Sequence, residues 1–343
     1  DANPWLLNCQ NGTINLKTGK LQPFNKADYI TRICNASFDE NCTTPLWDTL
    51  LETITKSDAD TIRYMQKALG YALTGDTSEQ AMFMLYGTGS NGKSTFLNIF
   101  SAVMNTYAQS ASSDAFMQKK NESVNNDIAR LKGARFVTAI EMEENKRLAE
   151  SLIKSMTGGD KLVTRFLYGE YFEYVPQFKV FLTANHKPII RDTTHSIWRR
   201  IKLMPFENTF TEANRDKHFA DKIMAKEMPG ILAWAVKGCL LWQREGIQDP
   251  PSVKRATTEY RTEMDSFATF FEECCEAREG VRVSNKMLRS SYDEWCKDNG
   301  EYALSQRPFS QKLLEMGFEK KRSASTGAVE WIGLSIRGVA SRL

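Results

Sequence analysis

One octapeptide limits what this chain can fold into more than any other feature. Residues Gly87-Thr88-Gly89-Ser90-Asn91-Gly92-Lys93-Ser94 fit the pattern G-x-x-x-x-G-K-[ST] without a gap. The pattern calls for a strand entering a glycine-rich turn and a helix leaving it, so that successive backbone N–H groups face one phosphate. The flanks agree. Met82-Phe83-Met84-Leu85-Tyr86 reads as a strand, and Phe96, Ile99, Phe100 and Val103 give a helix beginning at Lys93 its apolar face. In this arrangement Lys93 reaches the β- and γ-phosphate oxygens of ATP, Ser94 holds Mg2+, and Thr95 lies beside them at the positive end of the helix. A chance match is expected in on the order of one chain per hundred of this length, and the strand and helix reduce that further.

Around this loop the chain of 343 residues divides into three segments. Residues 1–76 open with short hairpin-like pieces, for which Asn11-Gly12 and Thr18-Gly19 are turn signals. Two helices come next: Leu46, Trp47, Leu50, Leu51 and Ile54 recur at helical spacing, and a second helix is expected from Ser57, with Asp60 completing a capping box. Residues 77–255 alternate apolar strands, expected over 82–86, 136–140, 179–183 and 201–206, with amphipathic helices such as that carrying Leu148, Leu152, Ile153 and Met156. That is the pattern of an α/β core with a mainly parallel sheet. A helical stretch from Asn214 to Glu245 ends it, with Pro229 at a helix start, and Asp249-Pro250-Pro251 breaks the chain ahead of the third segment. Residues 256–343 give three helical patterns and, after the turn Thr326-Gly327, a short apolar strand, which suggests a winged-helix-like domain.

A hydrolysing P-loop needs acids at the end of a neighbouring strand. The strand over 136–140 runs into Glu141-Met142-Glu143-Glu144. Glu141 and Glu143 fall on one face if the strand continues, and the roles of Mg2+ ligand and water activator are open between them. The strand over 179–183 leads to Asn185, whose amide could hold the attacking water or a γ-phosphate oxygen; the plainer reading is an Asn in a turn ahead of Pro188. Arg199-Arg200 precedes the next strand, suited either to act in trans on a neighbour's γ-phosphate or to form a structural ion pair. Between these strands a hairpin is expected over 162–175, with Lys154, Lys161 and Arg165 supplying charge and Tyr168 or Tyr171 a ring for base stacking. Packing at a sheet edge would explain the same rings.

The order GTGSNGKS, FVTAIEMEE, KSMTGGDKLVTRFLYGE, VFLTANHKP and IWRRIKLMPF resembles the superfamily 3 helicases, and more closely the helicase half of phage, plasmid and poxvirus-like primase–helicases. GTINLKTGKLQPF and ALGYALTGDTSEQ resemble that family's domain ahead of the motor. The resemblance implies an AAA+-type core, a hexameric ring and 3′–5′ movement on single-stranded or forked DNA during DNA replication. By position it makes Lys93 and Ser94 the Walker A residues, Glu141 and Glu143 the Walker B acids, Asn185 the sensor, and Arg200 with Arg199 the arginine finger. It puts Lys161, Arg165 and Tyr168 on a hairpin projecting into the ring's channel. A primase or polymerase domain often precedes this motor in the family, and a chain starting at Asp1 is expected to begin inside a longer protein.

Two other classes fit parts of the pattern. One is an origin-binding initiator whose ATPase switches assembly state without processive unwinding; the other is a P-loop phosphotransferase, which would need no arginine pair in trans. The net charge of +3 permits nucleic-acid binding without requiring it. Seven cysteines at irregular spacing, among them vicinal Cys274-Cys275 read as buried in a helix, point to reduced thiols in the cytoplasm. No apolar run is long enough for a membrane span.

Overall fold

A computed structural model describes residues 1–119, 126–140, 146–192, 194–212, 215–325 and 327–337. The chain divides between Tyr260 and Arg261 into two compact units. The first opens with an antiparallel sheet of β1 (Leu6–Cys9), β2 (Gly12–Asn15) and β3 (Lys20–Gln22). Both turn signals close hairpins here; at the second, Asn15 O accepts from Thr18 N and Gly19 N, and Gly19 takes φ 72°. Helix α1 (Pro45–Thr55) buries Trp47, Leu50, Leu51 and Ile54, the face its spacing predicts. Helix α2 (Ala59–Leu73) starts one residue later than expected: Asp58, not Ser57, is the cap, its carboxylate accepting from Asp60 N at 3.1 Å. A carboxylate is the stronger acceptor for the orphan N–H groups, and Ser57 is left in the left-handed region at φ 61°.

The α/β portion comprises β4 (Met82–Tyr86), α3 (Lys93–Met104), β5 (Ala108–Ser112), α4 (Asn126–Arg130), β6 (Phe136–Ile140), α5 (Glu150–Gly158), β7 (Leu162–Thr164), β8 (Phe172–Tyr174), β9 (Lys179–Ala184), α6 (His195–Trp198), β10 (Ile201–Pro205), α7 (Phe219–Lys226), α8 (Met228–Glu245) and α9 (Pro251–Glu263). Five strands form one parallel sheet in the order β10-β4-β9-β6-β5. β5 escapes a hydrophobicity reading because its residues are Ala-Gln-Ser-Ala-Ser; it is held as an edge strand by backbone pairing to β6. Leu148, expected on the α5 face, lies ahead of that helix and bridges Met117 instead. Asn214, the expected start of the later helical stretch, lies outside the described residues; the helix there begins at Phe219, and Pro229 opens α8 as expected.

A continuous apolar core joins β1 and β2, α1 and α2, the parallel sheet and α8, so the segments read apart at residue 76 share one interior. Phe83 on β4 stacks on Phe181 of β9 at 4.6 Å, and Phe136 of β6 lies 4.8 Å from Phe181. Each such ring contributes about 1.5–3 kcal/mol by burial. Helices α2 and α8 cross with almost no space between them: a Cβ on Gly238 would lie 2.0 Å from Gln66 O. Two buried cations fasten the lower end of the sheet to the amino-terminal part. Arg135 donates to Leu73 O and Leu6 O at 2.7 and 2.8 Å, and Lys179 donates to Thr74 O and to Asp76 O at 3.0 Å. Leu73 O and Thr74 O lie at the negative end of α2, while burial drives the Lys179 amine well below its ordinary value.

The second unit contains α10 (Ser266–Cys274), β11 (Cys275–Ser284), α11 (Asn285–Asp298), α12 (Gln306–Glu315), β12 (Glu319–Arg322) and β13 (Val329–Ile336). Its antiparallel sheet runs β11-β13-β12 around Phe267, Phe270, Tyr292, Phe309 and Trp331. The three helices and the closing hairpin agree with the sequence reading, apart from the expected turn residue Thr326, which lies outside the described residues. β11 does not agree with it. Cys275 begins this strand rather than continuing a helix, because β13 supplies the pairing edge. The expected boundary near 255 falls within α9. Every cysteine is a free thiol. Among the described residues no helix is long and apolar enough to cross a membrane.

Candidate functional site

Strand β4 delivers the chain to the upper edge of the sheet between β10 and β9, and the loop 87–92 turns there into α3. Ser90, Gly89 and Gly92 have φ of 47°, 109° and 84°, a run of left-handed positions that brings backbone N–H groups round to one side. Gly92 precedes α3 without a side-chain cap, so the first N–H groups of that helix are open to an anion. The glycine is required sterically: a Cβ on Gly92 would lie 2.8 Å from Ile54 of α1, whereas Gly89 faces open space.

Lys93 folds back over the loop. Its Nζ donates to Gly87 O at 2.7 Å, Asn91 Oδ1 at 2.9 Å and Asn185 Oδ1 at 3.1 Å. Only 5% of Lys93 is exposed, and burial pushes its amine down to about 8. Asn185 arrives by register: β9 pairs with β4 so that Ala184 lies opposite Tyr86, which sets the next residue beside the loop. Asn91 in turn donates to Phe206 O at 3.3 Å, tying the loop to the exit of β10.

A cleft of about 950 Å³ opens above these groups. Gly89 to Thr95, with Asn185, line one side, so seven of the nine expected loop contacts and the expected sensor meet there. Gly87 and Thr88 line a separate cavity of about 230 Å³ with Lys187 and Arg255. Ile140, the last residue of β6, also lines the main cleft. Glu141, Glu143 and Glu144 come directly after it and lie outside the described residues. The remaining wall escaped the sequence reading: Thr49, Leu50 and Thr53 of α1, and Phe210, Arg215, Phe219 and Ala220 from the segment after β10. No local motif marks these positions. An uncapped helix start, a glycine cradle and a buried amine fit a nucleotide's phosphates, and the Ser94 hydroxyl in the same wall fits a Mg2+ ligand.

The arginine pair sits at the other end of the sheet. Ile201 lies opposite Met82, so Arg200 is six residue steps, roughly 20 Å at 3.3 Å each, below the loop of its own chain. Arg200 is only 8% exposed, its Nε donating to Thr157 Oγ1 at 3.0 Å and its Nη1 to Ser196 O. Arg199 is exposed and donates to Gln80 Oε1. The expected hairpin is β7–β8, paired from Leu162↔Tyr174 to Thr164↔Phe172. Tyr168 at its tip is 98% exposed, with Leu167, Phe166 and Tyr171 also open. Its cations are engaged: Lys161 pairs with Glu173 at 3.4 Å, Arg165 lies over Tyr171 at 4.7 Å, and Lys154 pairs with Asp192 away from the hairpin.

Comparison with known proteins covers both ends and the centre of the chain. A family model described as D5 N terminal like matches residues 1–56, one of unknown function matches 85–200, and one described as poxvirus D5 protein-like matches 262–330. L207/L206 of Acanthamoeba polyphaga mimivirus, named for a helicase, is 26% identical over 87% of this chain and 34% of its own length. 022R of Frog virus 3 (isolate Goorha), also named for a helicase, is 28% identical over 77% of this chain and 29% of its own. Primase D5 of fowlpox virus (strain NVSL) is 24% identical over 52% and 23%. The chain thus spans about a third or less of the length of these relatives. The apo C-terminal region of NrS-1 superposes with a TM-score of 0.55 at 11% identity, covering 97% of this chain and 84% of that one, a likeness of fold. D5-type models thus match at both ends of the chain, and across most of its length it is similar to viral proteins named as helicases and primases of the poxvirus D5-like kind.

Proposed function

We propose that this chain is the ATP-driven DNA helicase or translocase part of a replication protein. The observation that carries the reading is the meeting of Lys93 and Asn185 at 3.1 Å at the mouth of an open cleft, at the upper edge of a parallel sheet. The five sheet strands, numbered among themselves, run 5-1-4-3-2, which supports an AAA+-type core. In the proposed reaction Lys93 exchanges its loop oxygens for the β- and γ-phosphate oxygens of ATP. Asn185, released from Lys93, orients the attacking water, and Glu141 or Glu143 takes its proton. Mg2+, held through Ser94 and the other acid, neutralises phosphate charge when bound. Arg199 or Arg200 serves a neighbouring subunit's site, since the pair is far from its own loop; this favours a closed ring, proposed as a hexamer.

The β7–β8 hairpin, with Tyr168 foremost and Lys161 and Arg165 behind it, is proposed to hold single-stranded DNA and carry it with each hydrolysis cycle, in the 3′–5′ direction. The second unit is proposed as a winged-helix-like domain. The greater length of the relatives supports a primase or polymerase domain upstream in the full protein, working in the cytoplasm. The test is ATP hydrolysis measured over a range of protein concentrations, with and without single-stranded DNA. Turnover per chain that rises with both supports an intersubunit site on a DNA track; turnover indifferent to both removes the ring mechanism.

A further inference from the structure

The wall of the cleft facing the phosphate loop is assembled from two segments far apart in sequence. Thr49, Leu50 and Thr53 come from α1, and Phe219 and Ala220 from α7. One side chain fastens these segments together. Helix α1 begins with Pro45 after Thr44, and no side chain of its own caps it. Instead Glu227 supplies both carboxylate oxygens, Oε1 to Leu46 N and Oε2 to Trp47 N, each at 2.9 Å. Glu227 is the junction residue between α7 and α8 and is only 5% exposed. A buried carboxylate bound to two N–H groups at the positive end of a helix is a strong and geometrically narrow contact.

Helix α1 also touches the phosphate loop. Ile54 occupies the space that a Cβ on Gly92 would need, and Trp47 stacks at 5.4 Å on Phe96, one turn of α3 beyond Lys93. The position of α1 therefore sets the gap between its exposed face and the loop, and Glu227 sets the position of α1 against α7. We infer that Glu227 is a positioning residue for nucleotide binding, holding α1 as the wall that receives the nucleoside end of the ligand. Leu50, Phe219 and Ala220 form an apolar surface suited to a flat base and ribose, while the phosphates occupy the uncapped start of α3. The amino-terminal part of the chain is thereby built into the nucleotide site rather than attached beside it.

The inference rests on the cleft being a nucleotide site, and the experiment separates the two. A fluorescent ATP analogue is titrated into the wild-type chain and into Lys93→Ala, Glu227→Gln, Glu227→Ala and Thr49→Phe, with thermal unfolding and steady-state ATPase on each. No binding by the wild type removes the nucleotide reading itself. Given binding, Glu227→Ala is expected to raise Kd and KM about tenfold or more with kcat within about twofold. Glu227→Gln, which keeps one acceptor, should fall between it and the wild type. A residue that only held the fold would instead lower kcat through the folded fraction and leave KM unchanged. Thr49→Phe places a ring in the wall one turn into α1 but leaves both Glu227 hydrogen bonds in place, and should raise KM; it decides whether α1 is the receiving wall if the Glu227 variants do not fold. Wild-type Kd and KM in Thr49→Phe together with any folded Glu227 variant would overturn the inference.

Discussion

The Nζ of Lys93 and the Oδ1 of Asn185 lie 3.1 Å apart although 92 positions separate them in the chain. They meet because β4 and β9 are neighbours in parallel register and both end at the same edge of the sheet. Each satisfies a hydrogen-bonding demand of the other, and in the proposed reaction both are freed when a phosphate takes Lys93. Lys93→Ala is expected to abolish ATP hydrolysis. Asn185→Ala should lower kcat about 10²-fold with a much smaller change in nucleotide affinity. Single-turnover ATPase with parallel binding titrations distinguishes these; an Asn185→Ala enzyme with wild-type kcat would assign Asn185 to the turn alone.

The Lys93 amine adds a pH dependence. Burial lowers it from the ordinary 10.5 to about 8, so between these values the unfolded chain binds more protons than the folded one. The group thus costs stability below about pH 8, and the cost fades as pH rises toward 10.5. A bound phosphate favours the charged amine, so nucleotide binding at about pH 8.5 should take up a substantial fraction of one proton. Calorimetric titration of nucleotide in buffers of different ionisation enthalpy measures this directly. Uptake of zero would mean that Lys93 is fully charged before the nucleotide arrives.

Arg199 and Arg200 are adjacent but have different surroundings, and their substitution should separate stability from turnover. Arg200 is buried on Thr157 and Ser196, so Arg200→Ala should cost about 2–4 kcal/mol and lower the unfolding temperature. Arg199 is exposed beyond Gln80. Arg199→Ala should unfold like the wild type while losing turnover about 10³-fold in the assembled protein. Mixing Arg199→Ala with Lys93→Ala chains should restore part of the activity, since each supplies what the other lacks; no recovery in mixed assemblies would argue against action in trans.

Tyr168, at φ 63° and nearly fully exposed, has no structural work to do at the hairpin tip. Tyr168→Ala is expected to leave thermal stability unchanged and weaken single-stranded DNA binding by about 1–2 kcal/mol. Fluorescence anisotropy with a labelled oligonucleotide reads this. Unchanged affinity would move the DNA contact away from the hairpin.

Gly238 tests the helix crossing that joins α2 to α8. Its absent Cβ would lie 2.0 Å from Gln66 O, a backbone atom that cannot swing aside. Gly238→Ala should cost roughly 1–3 kcal/mol by overpacking, despite the better helix propensity of alanine. Chemical denaturation should show a lower midpoint; a midpoint above the wild type would mean that α2 and α8 separate without cost.

What the sequence by itself determined is what local chemistry encodes. The glycines and Lys93 of the phosphate loop are contiguous, and their backbone requirements are written in residue type. Strands β4, β6, β9 and β10 announce themselves as apolar runs, and α1 by its periodic face, because each is buried along its own length. Tertiary structure decided the rest. The polar strands β5 and β11 exist because a neighbour offers a pairing edge, a property no residue in them carries. The exposure of Arg199 beside a buried Arg200 arises from what packs under α6 and β10, not from the dipeptide. Glu227 reads in sequence as one more acid in a helical stretch; only when the chain returns it to Leu46 and Trp47 does it become the cap of a helix 180 residues away. Such roles depend on which distant groups come within hydrogen-bonding reach, and that is fixed by the packing of the whole unit rather than by any segment of it.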